Sequence, residues 1–132
     1  APALPSPASP KGASILVIDN EPLVRTSFAR LLGIRGHHVT PVESGLAGIA
    51  AFKREKFDIV FTDLGMPEMS GWEVAKEIKR ISPKTSVVLV TAWPIDQMAE
   101  ELVSRGIDRV LSKPFEVDEL FKMIDDVLAA YK

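Results

Sequence analysis

The sequence predicts an α/β domain, a doubly wound parallel sheet with helices on both of its faces. Three observations predict it. The apolar runs at 15–18, 59–61 and 87–90 are continuous rather than alternating, as strands buried on both sides require. Between these runs the apolar period changes to that of a helix. Strands and helices alternate strictly, five of each, and such alternation implies right-handed crossovers between parallel strands.

The first strand is Ile15-Leu16-Val17-Ile18. Residues 22–35 follow as a helix, with Val24, Phe28, Leu31 and Leu32 on one face and Pro22 suited to the first turn, where its missing N–H costs nothing. The second strand, His38-Val39-Thr40-Pro41-Val42, contains a proline and so belongs at an edge of the sheet. An alanine-rich helix over 45–55 leads to the third strand, which runs through Asp58-Ile59-Val60-Phe61-Thr62-Asp63. The segment 72–81 brings Ala75, Ile78 and Ile81 together as a third helix. Val87-Val88-Leu89-Val90 is the fourth strand, and a helix over 95–105 aligns Met98, Leu102 and Val103. The fifth strand is Val110-Leu111-Ser112, and a last helix over 117–131 gathers Leu120, Met123, Ile124, Val127 and Leu128. There is no internal repeat.

A chain of 132 residues that is 46% hydrophobic suits one domain with a substantial core. Its net charge of -2 offers no basic field for nucleic acid, and no charge run suggests a tether to anionic lipid. No apolar stretch approaches the roughly 18 residues of a membrane span. Residues 1–13 lack the basic-then-apolar order of a secretory signal. The absence of cysteine excludes disulfides and thiolate metal sites and suits a cytoplasmic location. The first ten residues hold four of the ten prolines, so residues 1–13 read as an extended Ala/Pro-rich linker and 14–132 as the domain. With no initiator Met, the chain reads as part of a longer protein.

Four strands end on polar residues. The first ends at Asp19, the third at Asp63 before Leu64-Gly65-Met66-Pro67, the fourth at Thr91, and the fifth at Lys113-Pro114. In a parallel α/β sheet the carboxyl ends of the strands are where ligands and chemistry collect. Taken singly, an Asp or Thr there is a turn or cap residue, and a Lys-Pro pair is a solvated loop. Two carboxylates, a hydroxyl and an ammonium converging on one sheet edge point instead to a site. Trp72, Met66 and Met69 read as packing residues that cover the loop, and His37 and His38 as surface residues before the edge strand.

Over residues 14–131 the chain resembles the receiver domains of two-component response regulators. The resemblance rests on Val17-Ile18-Asp19-Asn20-Glu21-Pro22, on Thr62-Asp63-Leu64-Gly65-Met66-Pro67 with Gly71 after it, on Val90-Thr91-Ala92, and on Ser112-Lys113-Pro114-Phe115. It implies a flavodoxin-like sheet of order 2-1-3-4-5. It implies that Asp63 is a phosphoacceptor whose carboxylate attacks the phosphorus of a phosphohistidine or a small acyl phosphate. Lys113 would pair with Asp63 and then with the phosphoryl group, Thr91 would donate to a phosphoryl oxygen, and Pro114 would follow a cis peptide that aims the lysine. Mg²⁺ would be held by oxygen from Asp19, Asn20, Asp63 and the carbonyl of Gly65.

Two positions depart from the family pattern. Most members carry a second acid where this chain has Asn20, and an amide oxygen brings a dipole in place of a charge. Glu21, at the start of a helix, suits the helix dipole better than the metal. Val110 stands where many members have a Tyr or Phe that swings inward. The resemblance implies a signalling switch rather than an enzyme with an external substrate, its partner a histidine kinase or a histidine phosphotransfer protein. Its readout and any homodimer would use the face of the fourth helix, fifth strand and fifth helix. The linker suggests the C-terminal receiver of a hybrid sensor kinase. Asn20 and Val110 support the alternative of a degenerate receiver that acts as a phosphorylation-independent interaction module. A haloacid dehalogenase-type hydrolase would need a second Asp where Gly65 stands.

Overall fold

A computed structural model describes residues 12–66, 68–94 and 99–130. The elements run β1 (Ser14–Ile18), α1 (Pro22–Ile34), β2 (His38–Val42), α2 (Gly45–Arg54), β3 (Ile59–Asp63), α3 (Gly71–Ile81), β4 (Ser86–Thr91), α4 (Ala99–Ser104), β5 (Arg109–Ser112) and α5 (Val117–Ala130). The five strands form one sheet in the order β2-β1-β3-β4-β5, and every pairing is parallel. This is the order the resemblance implies. Proline-bearing β2 is at an edge, as predicted.

The continuous apolar runs split by alternation onto two faces. Leu16, Ile18, Val60, Val87 and Leu89 pack with Ile49, Phe52, Val74 and Ile78 from α2 and α3. Ile15, Val17, Ile59, Phe61, Val88 and Val90 pack with Phe28 and Leu32 of α1 and with Leu120, Ile124 and Val127 of α5. Phe28 stands between Phe61 and Phe115, at ring-centroid distances of 5.3 and 5.5 Å. Burial on both faces is why β1, β3 and β4 show no polar side, whereas the edge strands β2 and β5 are partly exposed.

Local chemistry sets the helix starts. Pro22 opens α1. The Ser44 hydroxyl accepts the N–H of Ala47 at the head of α2. Ser70 and Glu73 form a reciprocal capping box on α3. Gly71 is required by a close approach: a Cβ there would lie 2.5 Å from the backbone oxygen of Asp63, while its N–H donates to Leu64 O at 2.9 Å. Through this contact α3 begins directly behind the end of β3.

The structure departs from the sequence reading at three side chains, Val103, Ile81 and His37. α4 is described from Ala99 to Ser104, and residues 95–98, with Met98 among them, lie outside the described residues. Within it Leu102 is buried but Val103 is 81% exposed, because adjacent helical residues are about 100° apart and so short a helix has one line of contact with the core. Ile81 is partly exposed at the last turn of α3. His37 is half-buried, and its Nδ1 accepts the N–H of Ala13 at 2.9 Å. The proposed linker lies outside the described residues up to Lys11, as does Pro67. Trp72 and Met69 pack against the core and Met66 is buried in it, as expected. Among the described residues no helix is long and apolar enough to cross a membrane.

Candidate functional site

The strand order reverses between β1 and β3, because the chain leaves β1 for one edge of the sheet and β3 for the other. Such a reversal opens a crevice at the carboxyl ends of the strands. Asp19 directly follows β1, Asp63 is the last residue of β3, Thr91 ends β4, and Lys113 follows β5. Parallel register brings these ends level, with Ile18 opposite Thr62, Asp63 opposite Val90, and Thr91 opposite Ser112.

Lys113 joins the two carboxylates. Its Nζ lies 3.4 Å from Asp63 Oδ1 and 3.8 Å from Asp19 Oδ2. The Asp19 side chain is 3% exposed and that of Asp63 15%, so one ammonium serves two poorly solvated acids. Asp63 Oδ1 also accepts the N–H of Leu64 at 2.9 Å. Asp19 Oδ1 accepts the N–H of Glu21 at 2.9 Å. Burial pushes the Asp19 carboxyl above its usual range; the Glu21 N–H opposes this, the Asp63 charge adds to it and Lys113 relieves it.

Thr91 is buried, and its Oγ1 accepts the N–H of Trp93 at 3.0 Å, which leaves the hydroxyl hydrogen as its donor. The Thr91 carbonyl accepts the N–H of Lys113 at 2.8 Å and so ties the ends of β4 and β5 together. The Lys113-Pro114 peptide is cis, as the resemblance implies. Asn20, Glu21 and Gly65 are exposed beside the carboxylates; Glu21 holds the N-cap position of α1 but makes no side-chain capping bond. Val110 is half-buried against the core.

Sequence reasoning missed Arg25. Its guanidinium donates to the backbone oxygen of Asp19 at 2.8 Å. The signal was available, since a side chain one turn into α1 can reach back over the turn that leads into the helix. An apolar cavity of about 450 Å³ adjoins the site between α1 and the Lys113-Pro114-Phe115 segment, with Leu23, Val24 and Phe28 in its wall. Among the described residues no group of three or more His, Asp or Glu side chains gathers as a metal cluster would. Two carboxylates share the Lys113 ammonium here, and Asn20 and Gly65 lie one and two residues after them in the chain.

Residues 15–125 match the family described as response regulator receiver domain. The transcriptional regulatory protein GlrR of Escherichia coli K12 is 36% identical over 124 residues, 91% of this chain and 27% of GlrR. The chain thus spans about a quarter of that relative's length. Chemotaxis protein CheY4 of Vibrio cholerae superposes with a TM-score of 0.84 at 25% identity, covering 88% of this chain and 98% of CheY4. Response regulator TrrA of Thermotoga maritima, solved in complex with Mg²⁺ and BeF, gives 0.78 at 31% identity, covering 86% of this chain and 97% of TrrA. With a family match over most of its length, and a sheet order and strand ends that agree with it, the chain belongs to the response regulator receiver domains of two-component signalling.

Proposed function

We propose that Asp63 accepts a phosphoryl group from a phosphohistidine, and that the domain then switches a partner or a domain attached to it. The observation that carries this reading is the Lys113 ammonium 3.4 Å from a carboxylate held at a strand end by the N–H of Leu64. Both donors hold Oδ1, so Oδ2 is the oxygen that attacks. Its electron pair forms the new P–O bond as the P–N bond to imidazole breaks, and the departing imidazole nitrogen keeps the pair of the broken P–N bond. The product is an aspartyl phosphate. Because nucleophile and phosphoryl group are both anionic, positive charge must gather where they meet. Lys113 supplies part of it, and the Thr91 hydroxyl donates to a phosphoryl oxygen.

Hard oxygen donors suit Mg²⁺. Asp19, Asn20, Asp63 and the Gly65 carbonyl are the residues to hold it, and TrrA, which carries Mg²⁺ with BeF, supports the assignment. When bound, the ion neutralises charge on the attacking carboxylate and the phosphoryl oxygens. The donor is a histidine kinase or a histidine phosphotransfer protein in the cytoplasm. The output face is that of α4, β5 and α5, where Val103 is exposed and a homodimer could form.

Intact-mass measurement with Mg²⁺ and acetyl phosphate tests the nucleophile. A single phosphoryl adduct is expected on the wild type and none on Asp63→Asn; an adduct on the mutant would place the nucleophile elsewhere. Exposed Asn20, and Val110 packed as an aliphatic residue, favour the second reading of a degenerate interaction module. Trp93 separates the two. It is 59% exposed and its N–H bonds the Thr91 hydroxyl, so closure of that hydroxyl on a phosphoryl group must disturb it. Beryllofluoride with Mg²⁺ should change the emission of the wild type and of Trp72→Phe, but hardly that of Trp93→Phe. Analogue binding by calorimetry with a silent Trp93 would favour the module.

A further inference from the structure

We infer that Arg25 is a positioning residue for the acidic turn, and that it sets the plane from which Asp19 and Asn20 project. The oxygen it holds at 2.8 Å is the carbonyl of Asp19, which belongs to the peptide joining Asp19 to Asn20. The backbone N–H of Arg25 meanwhile donates to Glu21 O at 3.0 Å, the first rung of α1. Side chain and main chain of one residue thus reach back to both ends of the turn. The other polar atoms of Asp19 are held as well: its N–H donates to Val42 O at 3.2 Å, Oδ1 accepts from Glu21, and Oδ2 faces Lys113. Among the described residues, the bond from Arg25 is the one side-chain hydrogen bond to the 19–20 peptide.

The inference rests on the reading of Asp19 and Asn20 as cation ligands. Here the clamp matters more than it would beside a second acid. A carboxylate is drawn to a cation by its charge, whereas an amide oxygen has only a dipole to offer and must already point the right way. Charge and position predict opposite outcomes for the loss of Arg25. Removing a cation close to a cation site raises affinity by Coulomb's law, while removing a clamp lowers it. The sign of the change therefore identifies the role. Lysine separates them further, because it keeps the charge but lacks the planar fork of donors.

Mg²⁺ titration by calorimetry of the wild type, Arg25→Met and Arg25→Lys, with the amide resonance of Asn20 followed in metal-free protein, tests the clamp. Affinity should fall about threefold or more in both variants. The Asn20 amide should shift before any metal is added. Equal or tighter binding by Arg25→Met overturns the inference, and so does wild-type affinity in Arg25→Lys. If Arg25→Met does not fold, Arg25→Lys alone decides. Should the wild type bind no Mg²⁺, the cation reading fails, and the amide decides the clamp by itself: a shift confined to residues near 20 supports it, and an unmoved Asn20 overturns it.

Discussion

Asp19 shows how one buried carboxylate sets opposing demands on stability and chemistry. Burial disfavours its charged form, so its folded-state pKa is raised above 3.8 and the unfolded chain gives up the proton first. The sign follows by linkage: the contribution to stability is full below 3.8 and is lost as pH rises through the raised value. At neutral pH without metal, the charge at position 19 therefore destabilises the fold. Asp19→Asn keeps an oxygen for the Glu21 N–H and removes that charge. It should melt higher than the wild type at pH 7 in chelator, and the gap should narrow toward pH 4. A lower melting temperature for Asp19→Asn at pH 7 would mean that pairing with Lys113 outweighs desolvation. At this scale the sequence was most legible where a polar residue interrupts an apolar run, as at Asp63, Thr91 and Lys113. Arg25 was missed because its role depends on a side chain reaching back over a turn, and His37 because its partner Ala13 lies far off in the chain; no run or period records either.

Elements are positioned by contacts as specific as those of the site. Gly71 lets the start of α3 lie against the carbonyl of Asp63, the residue that ends β3. Any Cβ there meets backbone, which cannot rotate out of the way. Gly71→Ala should cost about 1–3 kcal/mol, as overpacking in a tight core does. Urea unfolding measures this, and a cost below about 0.5 kcal/mol would show that β3 and α3 separate easily. Three of the helices were legible because apolar residues recur on one side, and α2 because it is rich in alanine. The fourth helix was legible as an element but its inward face was not, since Leu102 and Val103 are both apolar and only Leu102 meets the core. A period needs several turns to be read, and the described part of α4 has six residues.

On the scale of the whole molecule, the sheet joins the charged site at one end to a titrating joint at the other. His37 accepts the Ala13 N–H through Nδ1, and this bond requires a neutral ring. Burial lowers its pKa, Arg35 lowers it further, and Asp125 opposes both. Since the folded value lies below 6.5, stability is full above 6.5 and is lost as pH falls through the folded value. His37→Asn offers an oxygen in the same place and does not titrate, so it should flatten the decline in stability between about pH 7 and 5. Identical pH profiles for the two proteins would show that this ring does not report on folding. Strand order was legible only through the family resemblance, because alternating strands and helices are compatible with several orders and it is pairing, not pattern, that selects one.

The ion pair between Lys113 and Asp63 closes across fifty positions of the chain, and the carboxylate of Asp19 lies farther back still. Contacts of this span carry a large loop-closure cost before they return any stabilisation. A chain still emerging from the ribosome holds both acids well before it holds their lysine. Until β5 docks, the two carboxylates share a crevice without that counter-charge, and their repulsion favours leaving it open. The finished site is therefore a marker of a finished domain: a product truncated before β5 lacks the last strand and the ammonium that pairs with both carboxylates.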